Sequence, residues 1–457
     1  VCRAGMSRCQ LGSALTAYDQ PPPCETCIRQ SEQTYRGGAV RWFTYQPLEE
    51  VERATAEMPL TGLMGFEWRG LPLGELVLPS LRWALRRHDL QDDRPTCFLL
   101  RQFILSAARV AQEFHLLLDE AQPRAVVLFN GVSYPEAVAR QMALQRGLPV
   151  VTHEVGLQPF SAFFSHGHAT AYPIDVPPDF ELNPAQEARL NGYLEKRFQG
   201  QFSMAGIRFW QDMRHLDEGL LQKAAAFRQI VPVFTNVIFD TSQVHANILF
   251  EDMFEWLDEV LTIIRAHPET LFVVRAHPDE DRPGKQARQS VTEWAAQNRL
   301  SDLPNVVFIP PREYLSSYEL IQRSKFVMVY NSTIGLEASI LGSAVLCGGQ
   351  ARYTRLPTVF LPESVEGFRR MAEEFLGAEQ VTPPPEFQRN ARRFLYYQLF
   401  RASLPFDAYL EEDVTPGFVR LRKGLRWRDF LPEASPTLGV ITRGVLNGEP
   451  FYLPEEG

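Results

Sequence analysis

The sequence predicts an α/β protein with two domains, each built on a parallel sheet. In residues 96–156 and again in residues 229–376, apolar runs of strand length alternate with segments whose apolar residues recur at helical spacing. This alternation is typical of a parallel sheet covered by helices. A chain of 457 residues is long enough for two domains of ordinary size. We place them at 1–225 and 226–385, followed by a helix and tail at 386–457.

The first stretch contains two predicted helices and two predicted strands. They cover residues 96–120 (an amphipathic helix), 125–131 (a buried strand), 134–146 (a helix) and 148–156 (a strand with its exit loop). Because parallel strands open their exit loops at one edge of the sheet, His153 and Glu154 are expected at that edge. Asn130, His166 and His168 are further candidates for the same edge.

The second stretch is a longer series of the same kind. Strands are predicted over 229–240, 271–276, 305–310, 325–330 and 343–347, and helices over 250–266, 290–298, 316–322 and 365–376. A helix over 184–198 precedes this series, and a helix over 387–401 is predicted to be the last long one. Between the strands at 325–330 and 343–347 there is room for one short helix only.

That short helix begins at a predicted anion site. Asn331, Ser332 or Thr333 is expected to cap it. The unpaired N–H groups and the dipole of a helix start both favour negative charge. Glu337, one turn further along, is placed to accept hydrogen bonds from a ribose diol, and Gly335 is expected to let a ligand approach the backbone. The alternative is an ordinary strand–helix–strand unit with a good cap.

A second candidate follows the strand at 271–276. The sequence there is Arg275-Ala-His277-Pro278. Ligands of open parallel sheets bind beyond the carboxyl ends of the strands, where both His277 and Ser332 are expected. The alternative is a structural histidine. The predicted strand at 229–240 and its exit loop contain Asn236 but no Gly-x-Gly-x-x-Gly, which disfavours a nicotinamide or flavin cofactor.

Together the two motifs resemble the donor half of capsule-polysaccharide-type glycosyltransferases, a group that includes bacterial Kdo transferases. The shared pattern is Arg-x-His-Pro followed by Ser-x-x-Gly-x-Glu-Ala-x-x-x-Gly, with Ala344 where such proteins usually have Pro. A more distant likeness is to glycerophosphotransferases of wall teichoic acid. The resemblance implies the GT-B fold, in which two Rossmann-like domains face each other across a cleft and a C-terminal helix crosses back.

The resemblance also implies roles for individual residues. His277, Ser332 and Thr333 would contact the phosphate of a CMP-, CDP- or UDP-linked sugar, and Glu337 would hold its ribose. The full set of predicted donor-binding residues is Arg275, His277, Asn331, Ser332, Thr333, Gly335, Glu337 and Asn236.

Sugar transfer also needs a group that activates the acceptor. We assign this to Glu154, with His153 and His277 as the other catalytic candidates. The acceptor is expected to be a glycan or a lipid-linked sugar, and the chemistry requires no cofactor or metal. Two alternatives stay open: a sugar-nucleotide epimerase of the same fold, and a non-catalytic protein that binds glycans or partners.

Four of the six cysteines fall in the first 27 residues: Cys2, Cys9, Cys24 and Cys27. Cys24-x-x-Cys27 has the spacing of a zinc knuckle, whereas Cys2-x6-Cys9 is looser than usual. Structural zinc, free or partly paired thiols, disulfides and an iron–sulfur cluster are the alternatives. Cys97 and Cys347 lie in apolar contexts and are expected in the core.

Composition restricts the partners and the location. A formal net charge of -9 argues against nucleic-acid binding, which needs a basic surface. No apolar run is long enough to span a membrane, and the start has no signal-peptide pattern, so a cytoplasmic protein is expected. Because the chain begins at Val1 rather than Met, we expect natural residues to precede it. The tail at 418–428 mixes basic and aromatic residues, which predicts either peripheral contact with the inner membrane face or a solvated basic surface.

Overall fold

The structure, a computed structural model, describes most of the chain. It describes residues 29, 32, 40–43, 47–199, 203–204, 207–208, 214–282, 286–413 and 419–455. The predicted metal ligands Cys2, Cys9, Cys24 and Cys27 lie outside these residues. The chain divides into two compact units, one with residues 1–153 and 166–170 and the other with 154–165 and 171–457. The domain boundaries at residues 225 and 385 stay predictions.

The first unit is mainly helical. Its helices and strands are α1 (Glu49–Thr55), α2 (Leu60–Met64), α3 (Leu73–Leu85), α4 (Arg94–Ala121), β1 (Val126–Phe129), α5 (Glu136–Gln145) and the start of β2 (Val150–Val155). α4 corresponds to the helix predicted at 96–120. Asp93 caps it by accepting a 2.8 Å hydrogen bond from the N–H of Thr96. The apolar face of α4 packs with α3 in a buried cluster that includes Leu81, Leu100 and Phe103. β1 and β2 pair in parallel, from Val126 with Val150 to Phe129 with His153.

The second unit contains a sheet of five parallel strands. In chain order its elements from residue 218 are α7 (Glu218–Ala225), β6 (Gln229–Phe234), α8 (Met253–Ala266), β7 (Thr270–Arg275), α9 (Val291–Gln297), β8 (Val306–Ile309), α10 (Ser317–Gln322), β9 (Val327–Val329), α11 (Ile334–Ile340), β10 (Val345–Cys347) and α12 (Val365–Gly377). The strand order is β10-β9-β6-β7-β8. The predicted α/β class is therefore confirmed, with parallel strands in both units.

The strand order reverses beside β6. The chain continues from β6 to β7 and β8 on one side, and then returns to place β9 and β10 on the other side. The helix that follows β6 (α8) and the helix that follows β9 (α11) therefore cover opposite faces of the sheet. For the same reason, the exit loops of β6 and β9 diverge. In open parallel sheets, the ligand crevice lies at such a reversal. The loops after Phe234 and Val329 border that crevice.

The rest of the second unit contributes further helices and short strands. It comprises β3 (Ser161–Ser165), α6 (Pro184–Phe198), β4 (Ser203–Met204), β5 (Ile207–Arg208), α13 (Pro385–Tyr396), β11 (Leu404–Pro405), β12 (Leu410–Glu412), β13 (Val419–Leu421) and α14 (Pro436–Asn447). The prediction that 387–401 is the last long helix was wrong. α13 ends in a π-helical turn over Tyr397–Arg401, and α14 follows. The Ser435 hydroxyl caps α14, and Pro436 starts it.

The basic tail forms local ion pairs. β13 pairs with β12 in antiparallel fashion, and Arg420 donates to Glu411 at 2.9 Å. Trp427 is exposed. Contact of this segment with the inner membrane face stays a prediction. Among the described residues, no helix has both the length and the apolar character needed to cross a membrane.

Gly335 in α11 is required by packing, which corrects the expectation that it admits a ligand. A Cβ atom at this position would lie 2.4 Å from the hydroxyl of Tyr353 and 3.0 Å from a methyl carbon of Val329. Tyr353 is fully buried, and its hydroxyl donates to the carbonyl of Ser332 at 2.7 Å. The space beside Gly335 therefore belongs to the tyrosine.

Gly335→Ala should destabilise the protein. Because the fully buried Tyr353 has little room to move, we expect a loss of about 1–3 kcal/mol in the free energy of unfolding, measured by urea denaturation. Gly192→Ala in α6 is the matched control, since a Cβ atom there meets nothing within 4 Å. It should stabilise by about 0.5–1 kcal/mol. Equal effects of the two substitutions would contradict this packing account.

Candidate functional site

A pocket lies in the second unit at the carboxyl edge of the five-stranded sheet. The pocket is lined by Arg197, Phe234, Thr235, Arg275, Ala276, His277, Pro278, Ser317, Tyr318, Ser332, Thr333, Ile334 and Glu337. It follows the exits of β6, β7 and β9, as the strand order requires. Five predicted donor-binding residues line it: Arg275, His277, Ser332, Thr333 and Glu337.

Ser332 and Thr333 present hydrogen-bond donors to this pocket. Thr333 is the residue before α11, but its side chain does not cap the helix. Among the described residues, no group accepts a hydrogen bond from the backbone N–H of Ser332 or Thr333, and neither hydroxyl has a partner. Two N–H groups and two hydroxyls therefore remain for a ligand. Such a set suits the oxygens of a phosphate.

His277 is held in one tautomer. Its Nδ1 accepts a 3.1 Å hydrogen bond from the backbone N–H of Asp279. Nδ1 therefore has no proton, and in the neutral ring the proton lies on Nε2. Burial lowers the pKa of His277, and the charges of Asp279 and Asp240 only partly oppose this. Near neutral pH the ring is thus an uncharged N–H donor.

Arg275 is buried at the end of β7 and supports the pocket wall. Its Nη1 donates to the carbonyl of Leu315 at 2.7 Å and also to the hydroxyl of Ser317. Burial lowers the pKa of Arg275 to about 10. These bonds hold the first turn of α10 against the sheet edge. Arg275 therefore has a structural function in addition to lining the pocket.

Glu337 is already part of a buried network. Arg197 donates to its Oε1 through Nε, at 2.8 Å, and through Nη2. Tyr318 donates to its Oε2 at 2.5 Å. A further bond joins Nη1 of Arg197 to the hydroxyl of Tyr193 at 3.2 Å. The carboxylate expected to hold a ribose is thus oriented by side chains of α6 and α10.

The ionisation of this network follows from its burial and its pairing. Burial by itself lowers the pKa of Arg197, but the Glu337 carboxylate, with Tyr193 and Tyr318, raises it above its ordinary range on balance. Burial raises the pKa of Tyr318, and the charge of Glu337 raises it further. Tyr318 is therefore a phenol that donates its proton, and Arg197 is a cation.

Asn236 and Asn331 brace the pocket from outside its lining. Asn236 Oδ1 accepts a hydrogen bond from the N–H of Asn331 at 3.4 Å. The Oδ1 of Asn331 accepts one from Gln243 at 3.1 Å. These bonds connect the exit loops of β6 and β9. Asn236 and Asn331, which we predicted to bind the donor, therefore connect loops in this structure. Gly335, another predicted donor-binding residue, packs on Tyr353 instead.

Neither His153 nor Glu154 lines the pocket. His153 ends the part of β2 that belongs to the first unit, where its ring centroid lies 5.4 Å from that of Phe129. Burial lowers the pKa of His153. Asn130, the further candidate of this unit, accepts hydrogen bonds from the N–H groups of Val132 and Ser133, which is a turn-forming role.

Glu154 belongs to the second unit. Its surroundings include Tyr172, which contacts Arg352, a residue that follows β10. Its Oε1 accepts a 2.9 Å bond from the N–H of Val155, whose carbonyl accepts a 2.7 Å bond from Tyr172. The guanidinium carbon of Arg352 lies 4.2 Å from the centroid of the Tyr172 ring. Burial raises the pKa of Tyr172, and the charges of Glu154 and Asp240 raise it further. Glu154 and two residues of loops at the carboxyl edge, Asp240 and Arg352, therefore all act on Tyr172.

Sequence reasoning missed three important residues of the pocket. Ser317 and Tyr318 begin α10, a predicted helix that follows the exit of a predicted strand, so the rule that ligands bind beyond strand ends would have indicated them. Arg197 gave no such signal. It lies in the last turn of a helix assigned to residues 1–225, and it is separated from Glu337 by 140 positions.

Three solved structures to which the chain is similar have low sequence identity to it. The beta Kdo 2,4 transferase KpsC of Thermosulfurimonas dismutans is 16% identical over 61% of this chain and 80% of that chain, with a TM-score of 0.40. The beta Kdo 2,7 transferase KpsC of the same organism is 13% identical over 68% and 85%, with a TM-score of 0.40. The UDP-GlcNAc 2-epimerase of Methanocaldococcus jannaschii, in complex with UDP-GlcNAc and UDP, is 12% identical over 64% and 81%, with a TM-score of 0.27. No curated protein matches the chain.

A sequence family matches the segment that contains the pocket. Residues 194–356 match the family described as "Capsule polysaccharide biosynthesis protein". The matched segment begins three residues before Arg197 and includes both motifs on which the resemblance was based. The resemblance to capsule-polysaccharide-type proteins is therefore confirmed over the segment that forms the pocket.

Proposed function

We propose that this protein is a glycosyltransferase of capsule polysaccharide synthesis. In the predicted GT-B arrangement, it would transfer a sugar from a nucleotide-linked donor to a glycan or lipid-linked acceptor. One observation carries the proposal: the crevice beside β6 and β9 brings His277 together with the unpartnered N–H groups and hydroxyls of Ser332 and Thr333. These groups donate hydrogen bonds, and the expected leaving group of such a reaction is a phosphate.

The proposed chemistry places charge where these donors lie. Transfer breaks the bond between the sugar's anomeric carbon and the phosphate oxygen, and the electron pair of that bond stays on the phosphate. The Nε2–H of His277 and the donors of Ser332 and Thr333 would stabilise the resulting charge. Preorganised donors of this kind are often the largest contribution to catalysis. No metal is part of this scheme.

The donor's ribose would lie against the wall formed by Glu337. A carboxylate has about four lone-pair positions, and the three bonds from Arg197 and Tyr318 occupy most of them. One hydroxyl of the ribose can still donate to Glu337. The identity of the base, among cytosine and uracil, is left to experiment.

On the acceptor side, Glu154 is our candidate for the general base. It would take the proton of the acceptor hydroxyl as that oxygen attacks the anomeric carbon. Glu154 and Asp240, the latter in the exit loop of β6, both raise the pKa of Tyr172, and this common neighbour supports the assignment. We further propose a cytoplasmic protein whose basic tail, with the exposed Trp427, contacts the inner membrane face.

Nucleotides should stabilise the protein. The unpartnered donors at Ser332 and Thr333 should gain acceptors on binding, so CMP, CDP or UDP should raise the melting temperature. A ligand at a hundred times its dissociation constant adds about 2.7 kcal/mol to the free energy of unfolding. Thermal-shift measurements with the three nucleotides, and with ribose as a control, test this. If none of the nucleotides raises the melting temperature of the folded protein, the donor pocket is wrongly assigned.

His277→Ala should remove most turnover. Loss of one preorganised donor to the leaving group lowers kcat by about 10²–10³, measured by release of the free nucleotide from a sugar donor that carries the nucleotide with the largest thermal shift. His267→Ala is the matched control, because His267 precedes the opposite end of the same strand and forms exposed ion pairs with Glu269 and Glu373. This control should retain turnover. Full activity in His277→Ala would exclude the leaving-group role.

Glu154→Gln should abolish transfer and leave nucleotide affinity unchanged. The amide has nearly the same shape but cannot accept the acceptor's proton, so the loss should be about 10²–10⁴ in kcat. Isothermal titration with the nucleotide gives the affinity, and Glu433→Gln, at an exposed position, controls for the change of charge. A variant that still transfers sugar at the wild-type rate would move the search for the base elsewhere. Conversion of the donor without any acceptor would instead indicate an epimerase.

A further inference from the structure

The wall of the pocket around Glu337 is built from three helices. Arg197 comes from the last turn of α6, Tyr318 from the first turn of α10, and Glu337 from α11. All three side chains line the pocket. The side chains of Arg197 and Glu337 are only 15% and 5% exposed. The pair is therefore both buried and at the ligand surface.

The two oxygens of Glu337 have different surroundings. Oε1 accepts both bonds from Arg197, through Nε and Nη2, which uses its two lone pairs. Oε2 accepts one bond, from Tyr318. Among the described residues, no second donor to Oε2 is present. One lone pair of Oε2 is thus left for a donor from outside the protein.

We propose that Arg197 is a positioning residue that makes this pocket select ribonucleotides over deoxyribonucleotides. Arg197 holds Oε1, so the carboxylate cannot rotate, and Oε2 accepts a hydrogen bond from one ribose hydroxyl of the nucleotide. This inference rests on the proposed function, because it assumes that a nucleotide occupies the pocket. It adds a residue that lies outside both sequence motifs.

A purely structural role explains the pair less well. Removing two charges from water costs several kcal/mol, and apolar residues of similar volume often stabilise a protein as well or better. In another arginine–glutamate pair of the same unit, Arg369 donates to both oxygens of Glu259 at 2.6 Å. Arg369 is 52% exposed, and that pair is outside the pocket. Of these two pairs, only the pocket pair combines nearly complete burial of both partners with a ligand-facing position.

The test compares ribonucleotides with their deoxy forms. Isothermal titration would give dissociation constants for CMP, CDP and UDP and for the 2′-deoxy and 3′-deoxy form of each. A hydrogen bond to a charged group should make the wild-type protein favour ribonucleotides about ten- to a hundredfold over at least one deoxy form. In Arg197→Lys, a single ammonium replaces the fork that holds Oε1. The ratio of the dissociation constant of the deoxy form to that of the ribonucleotide should fall to about two or less. The reason is that the ribonucleotide loses affinity and the deoxy form does not.

Two further variants make the test decisive. Arg369→Lys is the matched control: it breaks an arginine–glutamate pair of the same unit, and its ratio should equal that of the wild type. Arg197→Gln leaves at most one neutral donor to Oε1 and should also lower the ratio, so it decides the matter if Arg197→Lys does not fold. Melting temperatures are recorded for every variant.

The outcomes separate this inference from the function it rests on. A wild-type ratio in Arg197→Lys or, where that variant does not fold, in Arg197→Gln would overturn the positioning role and leave the donor pocket intact. Equal binding of ribo and deoxy forms by the wild-type protein would do the same. If the wild-type protein binds none of the nucleotides, both the inference and the proposed function fail.

Discussion

The position of β9 beside β6 is the constraint on which the candidate site depends. β6 pairs with β7 along its whole length, and its last residues also pair with β9, with Phe234 opposite Val329. Because the chain has placed β7 and β8 on the other side first, the exit loops of β6 and β9 turn in opposite directions. The space that they leave is the pocket. A sheet of the same strands in sequential order would have no reversal and no such crevice.

Hydrogen bonds then give the crevice its chemical character. The N–H of Asp279 determines the tautomer of His277, and the hydroxyl of Tyr353 holds the carbonyl of Ser332. Asn236 connects the two exit loops. Each of these bonds satisfies a group near the sheet edge, and together they leave the donors of Ser332 and Thr333 unoccupied. Both residues line the pocket, where the oxygens of a phosphate can accept these hydrogen bonds.

Much of this architecture could be predicted from the sequence. The structure confirms the strands predicted at 271–276 and 305–310 and the helices predicted at 96–120 and 184–198. Their apolar periodicity is strong, and the two helices have clear N-caps. Helix α3 was missed, since it contains Gly74 and Pro79, which usually interrupt helices. The four residues His277, Ser332, Thr333 and Glu337 were predicted together because each follows a predicted strand or lies one turn beyond it.

The sequence by itself determined the alternation of strands and helices and the polar residues at the strand ends, since both depend on spacing over a few positions. Only the tertiary structure decided the strand order, the packing of Tyr353 on Gly335 and the ion pair between Arg197 and Glu337. These contacts join segments that are distant in sequence. Local periodicity does not encode which two apolar faces, or which two charges, will come into contact. The fold brings Arg197 to a carboxylate 140 positions away because α6 must bury its own apolar face against the rest of the second unit.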